Sequence, residues 1–215
     1  MIDLTRDFRV YAADVPDQHN SNKEFQLNSE DNSCGKWMYE IMSRFGIRNA
    51  FLVTFSWRVF ISLKILAFDE SRIKRAFLIS PAGIVNGNPL KIFWKAFLPV
   101  KMYKIKKKKK YVHRLLSELF TEKDVFTEAF YREYFLRYKM NFWSISLMDK
   151  KEIQKITMPV HIFAADNDLS FPGRKMIKKE KVNSIVGGYS IIEKFQTCSG
   201  QAACYYRFKI HCNTQ

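Results

Sequence analysis

The sequence predicts an α/β protein with a mostly parallel sheet, flanking helices and an inserted helical segment. The run Phe51–Phe68 has the pattern of a buried strand, a sharp corner at Ser56 and an apolar helix. Two further apolar runs, Arg75–Ser80 and Met158–Ala165, end at turn residues and are typical of parallel strands. With 215 residues and 47% hydrophobic content, the chain can bury one sizeable core.

Before the first of these runs, the chain alternates short elements with polar turns. Residues 1–8 resemble the end of a helix, and Arg9–Ala13 is predicted to be a strand. A polar turn follows at Asp14–Ser21, where His19 is interpreted as a solvated residue rather than a ligand or base. Apolar residues near helical period predict a helix over Trp37–Phe45.

The next elements form the centre of the predicted sheet. Gly46 is placed to end the preceding helix, and Ala50–Phe55 is expected to be a central parallel strand. The helix after the corner, Val59–Phe68, is apolar nearly all round, as a helix packed under a sheet should be. The strand Arg75–Ser80 is then broken by Pro81 and the glycine that follows.

From residue 85 to about 155 the pattern is helical and rich in aromatic residues, which predicts a helical insertion. Its aromatic stripes reach Phe142 and Trp143, and core packing between this segment and the sheet is the simplest explanation for them. The segment also contains the unbroken run Lys106, Lys107, Lys108, Lys109 and Lys110.

The last elements follow the strand Met158–Ala165, in whose apolar middle His161 is interpreted as a core residue. Asp168 lies in the polar loop that ends at Pro172. A basic helix is predicted over Gly173–Val182, and a last strand over Tyr189–Phe195.

The strand, serine corner and helix, together with the Asp-x-x-x-Pro loop at Asp168, resemble the α/β-hydrolase family of the carboxylesterase-like kind. The resemblance extends over about residues 1–195 and includes the Asp14–Ser21 turn. It implies Ser56 as the nucleophile, Asp168 as the acid that orients the base, and the N–H of Trp57 as an oxyanion donor. It implies no metal and no organic cofactor.

Several positions depart from the family pattern, which predicts a degenerate triad. Thr54 and Arg58 replace the two glycines of Gly-x-Ser-x-Gly, and an arginine there is expected to crowd the corner. In the loop Cys198–Gln201, Gln201 stands where the family has its histidine, and His211 lies in a tail that resembles no part of the family. The first strands and the His-Gly oxyanion loop are missing, so we expect an N-terminally truncated member.

The resemblance divides the chain into a first core part (residues 1–84), a helical cap (85–155), a second core part (156–195) and an atypical tail (196–215). It implies a small hydrophobic ester as substrate, acted on weakly or not at all. Two alternatives remain. The chain is a non-catalytic protein that uses its basic cap to bind an anionic surface, or it is a gene-fragment product without function.

The net charge of +15 underlies the first alternative. A lysine run such as residues 106–110 could contact lipid headgroups or phosphates without sequence preference, although a solvated cap face is the simpler explanation. We predict no specific nucleic acid partner.

Cysteine usage and the chain's apolar runs predict a cytoplasmic protein. The four cysteines lack CxxC spacing, which favours free thiols in a reducing compartment. A zinc site formed by Cys198, Cys204, His211 and Cys212 is a weak alternative, because structural zinc sites use tighter ligand pairs. The N-terminus lacks a signal-peptide pattern, and the run 51–68 carries charges that a membrane span of roughly 20 residues avoids.

Overall fold

A computed structural model describes residues 4–13, 31–120, 125–137, 146–178 and 186–192. Within these ranges it confirms the α/β fold class, with four strands in the order β1-β2-β3-β4 and all three pairings parallel. The strands are β1 (Ala50–Phe55), β2 (Ile73–Ile79), β3 (Val160–Ala165) and β4 (Val186–Ile192).

Helices precede, connect and flank these strands. One described α-helix precedes β1 and one follows it. Five described α-helices lie between β2 and β3, the last of them short, and one follows β3. They are α1 (Ser33–Arg44), α2 (Trp57–Phe68), α3 (Pro89–Ile92), α4 (Leu98–Lys106), α5 (Lys109–Leu119), α6 (Val125–Arg137), α7 (Lys150–Ile153) and α8 (Gly173–Ile177). A π-helical turn, Phe93–Phe97, joins α3 to α4 without a break, so residues 89–106 form one helix.

The predicted strands agree with the structure closely at β1 and β3 and less closely elsewhere. β1 has the predicted bounds. β2 begins two residues earlier than the predicted strand Arg75–Ser80, and it ends one residue earlier. β4 begins three residues before the predicted strand. Gly46 adopts a left-handed φ of 61° directly after the C-cap of α1, as predicted for a residue that ends a helix.

Two predictions for the N-terminal residues are wrong. Residues 9–13 are exposed and form no strand. Where the end of a helix was predicted, over residues 1–8, the described residues form a single 3₁₀ turn, Leu4–Arg6. The aromatic residues here pack by their rings instead: Phe8 lies 5.9 Å from Phe51, and Tyr11 lies 5.7 Å from Phe45, between ring centroids. A strand requires a paired backbone ladder, which ring contacts do not supply.

The expectation of a central β1 is also wrong for the described sheet. β1 has β2 as its neighbour on one side and lies at the edge on the other. Its outward-facing side chains Phe51 and Phe55 consequently stay 43% and 46% exposed.

The main core lies between α2 and one face of the sheet. Val59, Leu63 and Leu66 of α2 are fully buried, and they pack against the strand residues Leu78 and Ile162. Burying side chains of this size stabilises the fold by roughly 1.5–3 kcal/mol each before the entropy cost. This explains why α2 is apolar nearly all round.

A second apolar cluster holds together the helices between β2 and β3. Ala96, Val100 and Tyr103 of the 89–106 helix face Leu115 of α5 and Phe135 of α6 in this cluster. The helical, aromatic character predicted for this segment is therefore present, while its role as a cap with bounds 85–155 stays a prediction.

Several predicted features lie outside the described residues. They are the Asp14–Ser21 turn with His19, the aromatic pair Phe142 and Trp143, the second half of the Gly173–Val182 helix, and everything after Ile192, including Cys198, Gln201, Cys204, His211 and Cys212. Among the helices that the structure does describe, none is long and apolar enough to cross a membrane.

The chain turns sharply at the corner between β1 and α2. Ser56 has φ 53° and ψ −126°, a combination that L-residues rarely adopt. Its N–H donates to the carbonyl oxygen of Ile79 at 2.8 Å, and its own carbonyl oxygen accepts from the N–H groups of Val59 at 3.0 Å and Ala82 at 3.3 Å. These bonds attach the corner to the end of β2 and hold Ser56 in a conformation that costs about 1–3 kcal/mol.

We therefore expect Ser56→Gly to raise the free energy of unfolding by about 1 kcal/mol, because glycine removes the backbone strain but loses more entropy on folding. Urea unfolding followed by circular dichroism measures the change. Ser56→Ala is the matched control, since it removes the hydroxyl and keeps the strain, and its stability should stay close to that of the wild type. Equal stability of the glycine and alanine variants would show that the corner stores no strain.

Candidate active site

The carboxyl ends of three neighbouring strands meet at one edge of the sheet. Phe55 of β1 aligns with Ile79 of β2, which aligns with Phe163 of β3. Because the spacing between strands is about 4.8 Å, these ends of β1 and β3 lie roughly 10 Å apart. Ser56 directly follows β1 and Asp168 comes three residues after β3. Both predicted residues therefore belong to the edge where sites of open α/β sheets gather.

Ser56 is exposed at the start of α2, where backbone donors are also available. Trp57 is the first residue of that helix, and the N–H groups of a first helical turn have no partner within the helix. The indole of Trp57 packs against a small cluster of Cys34, Ile61 and Ile65, which fixes this residue beside the corner. An oxygen bearing negative charge near Ser56 would thus meet N–H dipoles at a helix N-terminus.

The two residues at the family's glycine positions behave differently. The Thr54 hydroxyl is buried and has no hydrogen-bond partner among the described residues, a condition that costs roughly 1–3 kcal/mol. Arg58 is exposed in the first turn of α2. The crowding that we expected from this arginine stays a prediction.

Asp168 is 6% exposed and is held by its own loop. Its Oδ1 accepts hydrogen bonds from the backbone N–H groups of Ser170 at 2.8 Å and Phe171 at 2.9 Å. Its Oδ2 is buried and has no hydrogen-bond partner within the described part of the chain. One carboxylate oxygen thus orients the loop, while the other is left for a donor from elsewhere.

Burial raises the pKa of Asp168 above its ordinary value, against the opposing effect of the Phe171 and Ser170 N–H groups and of the Ser80 hydroxyl. Ser80 Oγ is nevertheless buried without a hydrogen bond of normal geometry to any described residue. Ser80 is therefore a neighbour of the Asp168 carboxyl rather than a hydrogen-bonded partner.

Sequence reasoning missed Ser80 and Gly87. Ser80 directly follows β2, has a left-handed φ of 47°, and donates its N–H to the Phe163 carbonyl oxygen at 2.8 Å. A hydroxyl residue directly after the apolar run Ala76–Ile79 was the available signal. Gly87 donates its N–H to the Ser170 carbonyl oxygen at 2.7 Å, and a Cβ there would collide with the Leu169 carbonyl oxygen. This close approach supports the Asp168 loop and needs glycine.

Neither described histidine is bound to the open oxygen of Asp168. The His161 ring stacks on Phe77 with 5.2 Å between centroids. His161 aligns with Phe77 and thereby with Val53, three residues before Ser56, which places it about 10 Å from the corner along the strand direction. His113 on α5 contacts Glu128 on α6, with 3.1 Å between Nε2 and Oε2. The missing base stays a prediction, since the Cys198–Gln201 loop lies outside the described residues.

The described residues at this edge likewise form no cluster of metal ligands. Within the described ranges, no three His, Cys, Asp or Glu side chains lie close enough together to hold a metal ion. Cys34, the described cysteine, is buried at the start of α1, where burial raises the pKa of its thiol.

Because the pKa of Asp168 is raised, the stability of the folded chain should depend on pH, and Asp168→Asn should remove this dependence. The folded-state pKa lies above the unfolded value near 3.8, so the group's contribution to stability is fully present below pH 3.8 and is lost as the pH rises through the folded pKa. The asparagine keeps an Oδ1 acceptor for the Ser170 and Phe171 N–H groups. We expect the free energy of unfolding of the wild type to fall relative to that of the variant as pH increases.

Urea unfolding at a series of pH values from acid to neutral measures this difference. Asp149→Asn is a matched control, because it changes an exposed N-cap carboxylate into an equally good cap. A difference between wild type and Asp168→Asn that is flat with pH would contradict the expectation.

Comparison with known proteins finds likeness in structure alone. No protein-family model matches the sequence, and no curated protein matches it. Among solved structures, carboxylesterase CesB (YbfK) from Bacillus subtilis is 12% identical with a TM-score of 0.61, over 83% of this chain and 64% of that one. Naproxen esterase (carboxylesterase NP) from Bacillus subtilis is also 12% identical, with a TM-score of 0.65 over 84% and 66%.

The esterase RhEst1 from Rhodococcus sp. ECU1013 is 9% identical with a TM-score of 0.65, over 87% of this chain and 74% of that one. This chain thus spans just under two thirds of the length of the two Bacillus esterases. At such low identities the likeness extends to architecture and not to activity. The chain has the α/β-hydrolase fold.

Proposed function

We propose that this chain is a slow acyl-transfer protein that acts on small hydrophobic carboxylic esters through Ser56. The observation that carries the proposal is the backbone of Ser56, which is held at φ 53° on the strand-to-helix corner by hydrogen bonds to the end of β2. A strained serine at this position presents its hydroxyl at the carboxyl edge of the sheet. The esterase structures to which the chain is similar support the same reaction class.

In the proposed reaction, Ser56 Oγ bonds to the ester carbonyl carbon while its proton passes to a base. The carbonyl oxygen becomes an oxyanion, to which the Trp57 N–H donates. The carbon–oxygen bond to the alcohol then breaks, and the base returns the proton to the departing alkoxide. Water hydrolyses the acyl-Ser56 by the same steps in reverse order, which releases the acid and restores the hydroxyl.

The rate of this reaction depends on a base that accepts the Ser56 proton. The buried Oδ2 of Asp168 has no described partner, and an imidazole N–H is a donor that would satisfy it. A carboxylate in this position would orient the imidazole and stabilise its protonated form. Loss of such a base typically lowers the rate by several orders of magnitude.

The helices between β2 and β3 could contact a hydrophobic acyl or alcohol group of the ester. The exposed face of α6 among them carries large apolar side chains, Phe126 and Phe130. Apolar walls with few polar groups are typical of small-molecule sites. A small hydrophobic ester is therefore the substrate class that we propose.

We expect hydrolysis of short p-nitrophenyl esters in plain buffer to be near background, and Ser56→Ala to leave it unchanged. Added imidazole should create a component of the rate that depends on Ser56, because it can take the proton that the chain has no described group to accept. The measurement is nitrophenol release against imidazole concentration for wild type and Ser56→Ala. Equal rates at every imidazole concentration would overturn the proposal, and a Ser56-dependent burst without imidazole would show that the chain supplies its own base.

A second candidate function is binding to an anionic surface through the lysine run. Lys106 to Lys110 are all exposed and lie where α4 ends and α5 begins. Lys107 has a left-handed φ of 51°, which turns the chain from one helix to the next. The run therefore distributes its charge over two helix ends and their link, instead of over one helix face.

We expect weak binding to anionic vesicles that fades as salt is added, because counterions compete with the exposed lysines. Changing Lys106 to Lys110 together to Gln should abolish this binding in co-sedimentation at low salt. A variant with the same net charge is the matched control; it carries Gln at five exposed lysines elsewhere, Lys36, Lys74, Lys150, Lys151 and Lys155. Equal loss of binding in the two variants would mean that total charge, and not the run, is responsible.

A further inference from the structure

We infer that the outward face of the 89–106 helix docks on an anionic phospholipid bilayer, with its apolar side chains among the lipid headgroups. This inference deepens the second candidate function and rests on it. It concerns a different set of side chains from the lysine run, so the two can fail separately.

The helix has a well-defined start and one buried side. Its N-cap Asn88 accepts hydrogen bonds at Oδ1 from the Leu90 N–H at 2.9 Å and the Lys91 N–H at 3.3 Å, and Pro89 occupies the first helical position. Ala96, Val100 and Tyr103 lie on the side that faces α5 and α6, and each is 6% exposed or less.

The opposite side of the same helix is also apolar, although it faces solvent. Leu90 is 70% exposed, Trp94 57% and Ile105 66%, and Phe93 beside them is 41% exposed. Leu90 and Trp94 are four residues apart and share one face of the helix. Ile105 is exposed further along it, beyond the π-helical turn Phe93–Phe97. We call these exposed apolar residues, Leu90, Phe93, Trp94 and Ile105, the stripe. A surface helix normally carries polar residues there.

Charge surrounds this stripe. Residues 89–110 contain nine lysines and no aspartate or glutamate. Lys91 and Lys101 are exposed along the helix, and the run at residues 106–110 adds positive charge at its end. Lys95 is engaged by Glu118 of α5, with 2.8 Å between Nζ and Oε2. An apolar stripe between lysines, with a tryptophan in it, is the composition of helices that lie in the plane of a membrane interface.

Nucleic acid or a second copy of the chain would match either the lysines or the apolar side chains of this surface, but not both. Nucleic acid supplies phosphates for the lysines but leaves Leu90 and Ile105 without an apolar partner. A second copy of the chain would cover the apolar stripe but would bring two lysine-rich faces together, which like charges oppose. An anionic bilayer offers both negative headgroups and apolar chains at the same surface.

The test is co-sedimentation of the full chain with vesicles of phosphatidylglycerol and phosphatidylcholine in equal parts, beside vesicles of phosphatidylcholine alone. Leu90→Ser with Trp94→Ser removes two of the exposed apolar side chains of the stripe and leaves every lysine in place. Phe45→Ser with Leu147→Ser is the matched control, because both residues are exposed and lie outside the helix. Circular dichroism checks that each variant is folded.

We expect the stripe variant to bind anionic vesicles about tenfold more weakly than the wild type, because burying even part of two such side chains contributes that much affinity. The control variant should bind like the wild type. A blue shift of the tryptophan emission on vesicle addition is expected in the wild type, and it should persist in Trp57→Phe and disappear in Trp94→Phe.

Several outcomes would overturn the inference. Unchanged binding of the stripe variant, with loss of binding only in the Lys106 to Lys110 variant, would leave the second candidate function standing and refute the docking of the helix. No binding of the wild type at low salt would refute both. If the wild type bound a DNA oligonucleotide as tightly as it binds anionic vesicles, and the stripe variant retained that binding, the surface would be assigned to nucleic acid. A wild-type dimer in sedimentation velocity that the stripe variant loses would assign it to a second copy.

Discussion

The corner at Ser56 depends on two hydrogen bonds, one to the end of β2 and one to the turn that follows it, and the arrangement of the site depends on that corner. Ser56 donates its N–H to Ile79 and accepts from the N–H of Ala82. These bonds fix where β1 stops and therefore in which direction α2 leaves the sheet. They also bring Ser56 level with Ser80 and with the start of the loop that carries Asp168. A shift of one residue in the β1–β2 pairing would turn Thr54 and Phe55 to the wrong faces and carry the serine away from this edge.

The site edge is locally unfavourable, and the core under α2 offsets its cost. Ser56 and Ser80 both have left-handed backbone, and the Thr54 hydroxyl, the Ser80 hydroxyl and Asp168 Oδ2 are buried without described partners. Each such feature costs on the order of 1–3 kcal/mol. Polar groups kept in this condition at one edge of a sheet are typical of a site that binds or reacts.

How much the sequence could predict differs from element to element for physical reasons. The bounds of β1 were predictable because the serine corner and the polar residues before Ala50 mark both ends of the strand. The strand predicted over Arg9–Ala13 has suitable residue types, but a strand forms only where another strand pairs with it, and a local pattern cannot show that. Ser80 was missed because its importance comes from its left-handed backbone and from the burial of its hydroxyl beside Asp168. Asp168 itself was placed by its resemblance to a family loop, not by any periodicity.

The same limitation explains why the aromatic segment was interpreted as packing between helices and sheet. Apolar residues at helical spacing indicate which side chains share a face, but the spacing does not tell which face finds a partner. In the 89–106 helix both faces are apolar: Val100 and Tyr103 are covered by α5 and α6, whereas Leu90 and Ile105 remain in solvent. Exposed lysines lie along the helix and at its end. A helix with a buried apolar side, a solvent-facing apolar side and lysines beside it is suited to lie between the protein core and a second apolar phase.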